Sequence, residues 1–417
     1  MKKNNSIGVC QLQRELSSID VQQILLERAK NAILQTAIEL MEQDMERLCG
    51  VRFGRKSGED LCHRGGSEKT SLMLDGASYS VRRPRARKNG EEVELESLTK
   101  MRDRDLLDQQ MQERLVRGVS TRNYEGVISN LSSKTGISKS SVSRAFKRSS
   151  KKDLDDINSC DLSQHKFVAI LIDGTNIGGR TLIVAVGITD GSQKIPLGLI
   201  EGDTENAAIV KDLLSSLTAR GFTLKTSRIL AMLDGGKALR AAVQALWGNR
   251  VLIQRCWLHK ARNIEGYLPK TNHSQLWRRM KKMMGLNTKQ LAEAEFKSLT
   301  NWLRTISEDA AKSLLEAGDE LLTVHGLGVT GEFRSALSTT NAIESVIGTS
   351  KNKLRNVKNW GYHPKTKDNV ARDKSLRWLA TAIQTHRPKL RRLRGGEEQM
   401  PILINNLTLL DTITKSA

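Results

Sequence analysis

Residues 169–191, AILIDGTNIGGRTLIVAVGITDG, predict two neighbouring β-strands. An apolar run ends at Asp173, a turn rich in glycine and asparagine follows, and a second apolar run covers residues 180–189. Both runs have the length and the β-branched content of buried strands joined as a hairpin. A charge at the end of a buried strand is unfavourable unless a partner meets it, so Asp173 is a candidate functional residue. The alternative is an ordinary Asp-Gly turn, which needs no ligand.

The sequence around this hairpin predicts an α/β domain. Three β-rich runs at 166–172, 180–189 and 194–201 precede a helix that Thr204 opens. They are followed by a strand at 228–233, a helix at 237–247 and a strand at 250–254. Three antiparallel strands followed by this alternation resemble a ribonuclease-H-like fold with a mixed five-stranded sheet. Residues 258–337 then carry only helical patterns and predict an all-α insertion.

The whole chain is predicted to contain six regions and one linker. Hairpin signals at Asp75-Gly76 and Asn89-Gly90 indicate the β-meander of the first region. The regions are an N-terminal helix plus a small β-meander (1–104), a helix-turn-helix DNA-binding region (105–150), the first part of the α/β core (164–257), an all-α insertion domain (258–337), the second part of the core with basic C-terminal helices through Arg394 (338–395) and a tail (396–417). The polar segment 149–160 is predicted to be a linker.

The charge balance indicates a polyanionic partner. The 417 residues include 67 Lys and Arg against 46 Asp and Glu, which gives a net charge of +21. An excess this large favours nucleic acid over a membrane surface, and no apolar run is long enough to span a bilayer. Five scattered cysteines predict reduced thiols rather than a disulfide scaffold, as expected of a cytoplasmic protein.

Two N-terminal segments are candidate DNA contacts. A strand at 79–87 carries four arginines around Pro84, which predicts an edge strand bearing a phosphate-contacting strip. A charged strand edge that only prevents aggregation is the alternative. A second helix, predicted from about Ser138 after a turn at Thr135-Gly136, would present a cationic face to the major groove, although an ordinary helical hairpin has the same pattern. The candidate residues are Arg82, Arg83, Arg85 and Arg87 of the strand and Ser140, Ser141, Arg144, Lys147 and Arg148 of the helix.

Three acids form the candidate catalytic set. Two predicted strands end in Asp-Gly, LIDG at 171–174 and MLDG at 232–235, and their carboxylates repel each other unless a cation intervenes. Oxygen ligands of this kind suit a hard ion such as Mg²⁺. Glu344 lies in an otherwise small and apolar segment, TTNAIESVIGT, where an acid is unfavourable without a partner. Together Asp173, Asp234 and Glu344 predict a two-metal site for phosphoryl transfer.

Five ordered blocks resemble the Mutator-type transposases of bacterial insertion sequences, DNA enzymes of the DDE class with a ribonuclease-H-like core. The blocks are DGTN…VGITDG…PLGLIEGDTEN, ILAMLDGGKAL, IQRCWLHKARN, TTNAIES and the pair Arg377-Trp378, over roughly residues 165–380. Similarity is weaker upstream, in GVSTRNYEGV and GISKSSVSRAFK. The resemblance implies that Asp173, Asp234 and Glu344 are the catalytic, metal-binding acids and that the helical block is the family's insertion domain.

The resemblance also implies cofactor and partners. The cofactor is Mg²⁺, with Mn²⁺ as a substitute, and no organic cofactor is expected. The partners are double-stranded DNA, as terminal inverted repeats and as target, and a second copy of the chain, because two element ends must be held together. The expected location is the bacterial cytoplasm, associated with the nucleoid, and the expected pathway is copy-out–paste-in movement through a circular intermediate.

The resemblance draws attention to residues beside the acids. Cys256 and His259 form a CxxH motif, which is structural or positioning because no second pair stands nearby to complete a zinc site. Further candidate DNA contacts are His259, Lys260 and Arg262 after the fifth strand, and Lys351 and Arg355 beyond Glu344, with a solvated basic helix as the alternative for the last two. Trp378 is predicted to be structural.

The function that the sequence supports is a DNA transposase that binds the inverted repeats of its element and catalyses metal-dependent strand cleavage and transfer. One alternative is a nuclease of the same fold, which would need neither a separate helix-turn-helix nor a long insertion domain. The other is a DNA-binding regulator with a relic core. An intact acid triad argues against the second alternative.

Overall fold

The computed structural model describes residues 18–54, 62–74, 77–102, 112–113, 115–117, 139–202, 206–358, 360 and 373–413. The chain divides into two compact units, residues 1–149 and residues 150–417. The three candidate acids all belong to the second unit.

The first unit packs one long helix against a three-stranded antiparallel sheet. Its elements are α1 (Ser18–Cys49), β1 (His63–Leu74), β2 (Ala77–Lys88), β3 (Glu91–Val93) and α2 (Glu96–Met101). Ala37, Met41 and Met45 recur every four residues on one face of α1 and are buried together with Leu72 and Val81 of the sheet. The predicted N-terminal helix and β-meander are confirmed.

The prediction that the arginine-rich strand is an edge strand is wrong. β2 is the central strand, between β1 and β3. Pro84 is tolerated there because β3 pairs only with the three residues Ala86, Arg87 and Lys88. On the other side Pro84 pairs with Ser67, next to a register shift in β1. The missing N–H of the proline therefore falls where the sheet pairing is irregular.

Helix α3 spans Lys139–Ser159, so the linker predicted over 149–160 is wrong. The polar composition conceals a helix that is fixed at its end, where Ile157 is buried. The side chain of Asn158 exchanges two hydrogen bonds of 2.8 Å with the backbone of Leu199. At the start of α3, Val142 and Phe146 are buried. The first helix and the turn of the predicted helix-turn-helix lie outside the described residues.

The second unit is built on the predicted mixed sheet. Its strands are β4 (Lys166–Ile177), β5 (Arg180–Thr189), β6 (Lys194–Glu201), β7 (Thr223–Leu224), β8 (Ile229–Leu233) and β9 (Val251–Arg255). The order is β6-β5-β4-β8-β9, with the short β7 pairing beside β4. β6, β5 and β4 are antiparallel, whereas β4, β8 and β9 are parallel. The predicted antiparallel arrangement of the first three strands is confirmed, and β7 is an addition to the five predicted strands.

The first core strand is longer than predicted. β4 continues past Asp173 to Ile177 because β5 keeps pairing with it as far as Ile177–Arg180. The hairpin turn is therefore the pair Gly178-Gly179, with φ of 63° and 79°, as a two-residue turn of this kind requires. The parallel pairing of β4 with β8 ends just before Asp173, whereas the antiparallel pairing with β5 continues past it.

The two faces of this sheet are covered by different helices. α4 (Ala207–Ala219) and α5 (Lys237–Trp247) pack with Ile170, Ile172 and Ile183 into one buried cluster. Asn206 caps α4 by accepting hydrogen bonds from its first turn, whereas Thr204, the predicted start of this helix, lies outside the described residues. Side chains alternate along a strand, so residues 171, 173 and 175 point to the opposite face. Helices from the C-terminal part of the chain cover that face.

Residues 257–337 contain only helices, as predicted. They are α6 (Trp257–Glu265), α7 (Lys270–Gly285), α8 (Lys289–Arg304), α9 (Glu308–Ala317), α10 (Thr323–Gly326) and α11 (Gly331–Leu337), with a 3₁₀ turn at Gly318–Leu321. Residues from α6 to Leu322 form a hydrophobic core distinct from that of the sheet. Gln254 of β9 joins the two, because its buried amide bonds the backbone of Leu321 and Val324.

The chain then returns to the open face of the sheet. α12 (Asn341–Lys353) packs on β4, and α13 (Lys374–His386) packs on α12, β5 and β6. The helix predicted through Arg394 ends at His386 and is followed by a 3₁₀ turn at Arg387–Lys389. Residues 396–413, which belong to the predicted tail, form α14 (Gly396–Ile413), whose Met400, Leu403 and Leu407 are buried.

Candidate active site

Asp173 and Asp234 lie side by side on neighbouring parallel strands. The last register pair of β4 and β8 is Ile172–Leu233, and each aspartate is the next residue of its chain segment. Neighbouring strands are about 4.8 Å apart. Asp173 is two residues after Leu171, and Asp234 is two residues after Met232, so both aspartates point to the same sheet face as these residues. This is the face that α12 covers. The sheet thus brings together two of the three predicted acids.

Backbone amides of the following residues orient both aspartates. Gly174 N donates to Asp173 Oδ1 at 2.8 Å, and Gly236 N donates to Asp234 Oδ1 at 2.9 Å. Gly235, which lies between Asp234 and Gly236, has a φ of 116° and contacts the guanidinium group of Arg255. A Cβ at Gly235 would lie 2.6 Å from Arg255 Nη2, so glycine is required there on two grounds.

Glu344 comes from the first turn of α12 and faces the two aspartates. Thr340, immediately before the helix, donates from Oγ1 to Glu344 Oε1 at 2.6 Å. Thr340 has no exposed surface, whereas the Glu344 side chain is 36% exposed. The carboxylate is therefore held from the buried side and open on the other. The sequence carries no distinct signal for this role of Thr340, because a threonine just before a helix is common.

The electrostatics show that the three acids share one neighbourhood. Burial raises the pKa of Asp173 to about 6, and the negative charges of Asp234 and Glu344 act in the same direction. The N–H of Gly174 and the charge of His259 act against them. A carboxylate with a raised pKa, placed among other carboxylates at the end of a strand pairing, is an arrangement typical of functional sites.

Cys256 and His259 form a polar cluster with Thr340 behind Glu344. Cys256 Sγ is 3.4 Å from both the N and the Oγ1 of Thr340. His259 Nδ1 is 3.4 Å from the same hydroxyl, and His259 Nε2 is 3.7 Å from Glu344 Oε1. The hydrogen bond to Cys256 raises the pKa of His259, and the charges of Cys256, Glu344 and Asp173 add to it. Burial would raise the pKa of Cys256, but hydrogen bonds with His259 and Thr340 outweigh burial and lower it.

The donor chemistry of the three acids fits a hard divalent cation. All the donors are carboxylate oxygens, and the like charges around Asp173 would be relieved by a cation between them. Within the described ranges, no three His, Cys, Asp or Glu side chains are grouped so that they could hold a metal ion as they stand. The three acids are therefore neighbours that do not form a closed coordination sphere.

The other predicted contacts of the second unit differ in exposure. Lys351 lies on α12 seven residues after Glu344, and its Nζ is 3.2 Å from Thr175 Oγ1 of β4. Arg355 and Arg262 are exposed. Lys260 is buried and pairs with Glu316 at 2.7 Å, so its ammonium group already has a protein partner. Trp378 is buried in α13, consistent with its predicted structural role.

The predicted contacts of the first unit also separate into two groups. Arg83 pairs with Glu68 and, at 2.6 Å, with Glu92, and Arg85 lies 3.6 Å from Glu68. Arg82 and Arg87 are exposed on β2, and Arg144, Lys147 and Arg148 are exposed on α3. Ser140 and Ser141 lie in the first turn of α3, and their side chains are outside the described part of the structure. Exposure makes Arg82 and Arg87 accessible to a phosphate, whereas Arg83 is held within the sheet.

Comparisons with known proteins agree with the resemblance seen in the sequence. The chain is 29% identical over 178 residues to the transposase for insertion sequence element IST2 of Acidithiobacillus ferrooxidans, which is 43% of this chain and 58% of that protein. It is 27% identical over 195 residues to the transposase for IS6120 of Mycolicibacterium smegmatis, which is 45% of this chain and 58% of that protein. A third relative, the transposase for ISRM5 of Rhizobium meliloti, is 26% identical over 274 residues, 61% of this chain and 65% of that protein.

These matches span about three fifths of the length of the curated relatives. None of the helices in the described part of the chain combines the length and hydropathy that a membrane span requires. The model of the family described as transposase, Mutator family, matches residues 1–372, which is most of the chain. The chain therefore belongs to the Mutator family of transposases.

Proposed function

We propose that this protein is a DDE-class DNA transposase that cleaves the ends of its insertion sequence and joins them to target DNA. The observation that carries the proposal is the convergence of three acids from three separate elements, with the pKa of Asp173 raised to about 6. Asp173 and Asp234 directly follow the last register pair of the parallel strands β4 and β8. Glu344 is in the first turn of α12, which packs on the same face of the sheet. The sheet order β6-β5-β4-β8-β9 supports a ribonuclease-H-like core for this site.

Asp173, Asp234 and Glu344 are the residues that would hold Mg²⁺, or Mn²⁺ in its place. When bound in pairs, such ions activate a water or a 3′-hydroxyl for attack and stabilise the leaving 3′-oxygen. The chain's own residues prepare the site for this. The N–H groups of Gly174 and Gly236 orient the aspartates, and Thr340 orients Glu344. His259 Nε2 lies 3.7 Å from Glu344 Oε1, and its raised pKa favours a positive charge beside this carboxylate.

The rest of the proposal concerns DNA recognition. The N-terminal region binds the terminal inverted repeats, through a helix-turn-helix whose second helix is the start of α3 and through the exposed arginines of β2. Two copies of the chain hold the two ends together, and the reaction takes place on DNA in the bacterial cytoplasm. The exposed Arg144, Lys147 and Arg148 on one short stretch of α3 support this assignment.

The test is conservative removal of each carboxylate. Asp173→Asn, Asp234→Asn and Glu344→Gln should each abolish strand cleavage and joining while DNA binding persists, because the amide keeps the shape and loses the charge. The substrate is a duplex that carries the inverted repeats flanking the encoding gene. Asp212→Asn, on the exposed side of α4, is the matched control and should keep full activity. Cleavage by any of the three amide variants at the wild-type rate would overturn the assignment.

A second measurement separates transposition from simple nuclease activity. Cleavage should require Mg²⁺ or Mn²⁺ and stop when EDTA is added. A transposase should also join the cleaved end to a second duplex, which a nuclease of the same fold would not do. Metal-independent cleavage would exclude the two-metal chemistry, and binding of the repeats by a wild-type protein that cleaves nothing would favour a DNA-binding regulator.

A further inference from the structure

A basic surface lies at the C-terminal ends of α12 and α13. It consists of Lys194 at the start of β6, Lys353 at the end of α12, His386 at the end of α13 and the segment 387–394, RPKLRRLR; we refer to it as the C-terminal basic surface. The three elements meet because α13 packs on both α12 and β6. Burial lowers the pKa of His386, and the charges of Lys353, Lys389 and Lys194 act in the same direction. Residues distant in sequence thus form one cationic neighbourhood.

Backbone contacts hold the segment 387–394 against the rest of the second unit. Leu393 is buried, and its N–H donates to the carbonyl of Ser192 at 3.0 Å. Ser192 lies in the turn between β5 and β6. The residue that follows the segment, Gly395, packs closely against α11, since a Cβ at Gly395 would lie 3.2 Å from the backbone of Phe333. Because the segment is anchored on both of these elements, the exposed side chains of Lys389, Arg391 and Arg392 project from a defined backbone.

Within the described residues, Lys194 and the segment 387–394 make few ion pairs with acidic side chains. Among the described residues, the only ion pair that involves the segment 387–394 is the exposed contact of Arg394 with Glu332, at 3.9 Å. Lys194, Lys389, Arg391 and Arg392 have no ion pair in the described part of the chain. Gathering like charges is unfavourable for the folded state unless a ligand supplies the opposite charge. The charges of Lys194, Lys389, Arg391 and Arg392 are therefore available to a polyanion.

The surface also has a defined position relative to the three acids. Glu344 is in the first turn of α12 and Lys353 is its last residue, and Lys351 lies between them. At 1.5 Å per residue the helix carries the chain about 14 Å from the acid to the basic surface. This is roughly the span of four nucleotides along one strand of a duplex, at about 3.4 Å each. A duplex held at the acids therefore reaches the basic surface a few nucleotides from the reacting phosphate.

We propose that the C-terminal basic surface binds the phosphate backbone of the target DNA duplex during strand transfer. The inference rests on the proposed function, which supplies the reaction at the acids. Lysines and arginines at helix ends and on a short extended segment contact phosphates and carry no sequence information by themselves. The element ends must be distinguished by their sequence, whereas this surface suits a duplex that is held whatever its sequence. Target DNA is therefore the occupant, and the element ends are the competing outcome of the test.

The binding test uses the full chain and a random-sequence duplex of about 20 to 30 base pairs. The variant is Lys194→Gln with Lys389→Gln. Removing two phosphate contacts should weaken binding about tenfold and reduce the slope of log affinity against log salt by about 2. The matched control is Lys211→Gln with Lys281→Gln, two exposed lysines on α4 and α7, which removes the same charge and should leave both quantities unchanged. Equal losses in the two variants would overturn the proposal.

Reaction assays then identify which DNA occupies the surface. The Lys194→Gln, Lys389→Gln variant should cleave element ends within about twofold of wild type and join them to a target about tenfold less efficiently at subsaturating target. Loss of cleavage in parallel with joining would assign the surface to the element ends instead. Arg391→Gln with Arg392→Gln, which changes only exposed side chains, repeats the test if the first variant loses thermal stability. If wild type cleaves nothing, the proposed function fails, and the binding test alone still decides whether this surface holds DNA.

Discussion

Asp173 carries an electrostatic cost that should be measurable in the absence of divalent cations. Its pKa in the folded protein is about 6, above the ordinary value of 3.8. A folded carboxyl with a raised pKa binds its proton more tightly than the unfolded chain does. Asp173 therefore lowers the free energy of unfolding as pH rises between these two values, by at most about 3 kcal/mol. Below about pH 4 the residue is protonated in both states and the cost vanishes.

Asp173→Asn should remove this cost along with the activity. In EDTA the variant should be more stable than wild type at pH 7, and the difference should shrink toward zero as pH falls to about 4. Chemical unfolding followed by circular dichroism across that pH range measures the difference. Added Mg²⁺ should stabilise wild type and leave the variant unchanged. Asp212→Asn should give a difference that does not depend on pH in this way, and an Asp173→Asn protein less stable than wild type throughout would contradict the prediction.

Thr340 should act through Glu344 as a positioning residue. Its hydroxyl holds Glu344 Oε1 at 2.6 Å and lies 3.4 Å from Cys256 Sγ. Thr340→Val should raise the Mg²⁺ concentration for half-maximal cleavage at least about tenfold, as loss of a group that orients a metal ligand does. Thr340→Ser keeps the hydroxyl and should restore most of the affinity. A metal titration of the cleavage rate distinguishes this role from a purely structural one, since a stability defect alone would leave the half-maximal concentration unchanged.

At the scale of single residues, the sequence indicated which charged side chains need a partner, but not which partner each of them contacts. Asp173, Asp234 and Glu344 were expected to lie near one another because a carboxylate in an apolar context needs a partner. The structure brings all three together. Thr340 was not predictable, because a threonine before a helix is common and its target, four residues on, becomes visible only with the fold. Lys260 has the same charge as its neighbour Arg262, and only the structure shows that it is buried against Glu316.

The insertion helices are fixed to the sheet by a charge cluster around Glu316 of α9, which is half exposed and pairs with two buried cations. Arg255 of β9 donates to both carboxylate oxygens of Glu316, at 3.1 and 3.0 Å, and Lys260 of α6 pairs with the same group at 2.7 Å. Arg255 and Lys260 are about 5% exposed or less. Burial alone would raise the pKa of Glu316, but hydrogen bonds from Arg255 and Lys260 outweigh it and lower the pKa to about 2.

Glu316→Gln should destabilise the protein by about 1 kcal/mol at pH 7, because it removes the charge that Arg255 and Lys260 share. The loss is limited because Glu316 is half exposed to solvent and Arg255 keeps Glu320 at 3.7 Å. The sign of the pH dependence follows from the lowered pKa. Glu316 contributes its stability above the ordinary value of 4.5 and loses it as pH falls toward about 2. The difference between the variant and wild type should therefore diminish below about pH 4.5. Glu293→Gln, which removes an exposed pair with Lys289 on α8, is the matched control and should cost less than about 0.5 kcal/mol.

At the scale of elements the periodic patterns predicted most of the fold and failed where pairing overrides composition. β5 and α5 have the predicted bounds, since each is a single apolar pattern between clear stops. β4 runs five residues past its predicted end, because a hairpin partner continues the pairing through polar residues that the apolar run does not include. The polar composition of residues 149–160 predicts a linker, whereas contacts to β6 that lie outside the local sequence stabilise a helix there.

At the scale of the whole molecule, α3 crosses the boundary between the two compact units. It begins at Lys139 in the first unit and ends at Ser159 in the second. Its second half belongs to the second unit, where the buried Ser150 accepts a hydrogen bond from Arg377 at 3.1 Å. A truncation at residue 150 would cut this helix in half. The structure therefore moves the natural start of a catalytic fragment to residue 139.

The fragment 139–417 should fold, bind DNA without sequence preference and lose recognition of the element ends. The fold expectation follows because this fragment keeps the full helix α3, the sheet and all three acids. The loss of recognition follows because the arginine strand and most of the predicted helix-turn-helix lie upstream. Competition binding at fixed salt, with a duplex carrying the inverted repeats against a random duplex, measures the specificity ratio, which should fall to about 1. The fragment 150–417 serves as the comparison and should be less stable than 139–417, since its α3 lacks the first half. End-specific binding by 139–417 equal to that of the full chain would place the recognition surface in the second unit and remove the N-terminal region from the proposal.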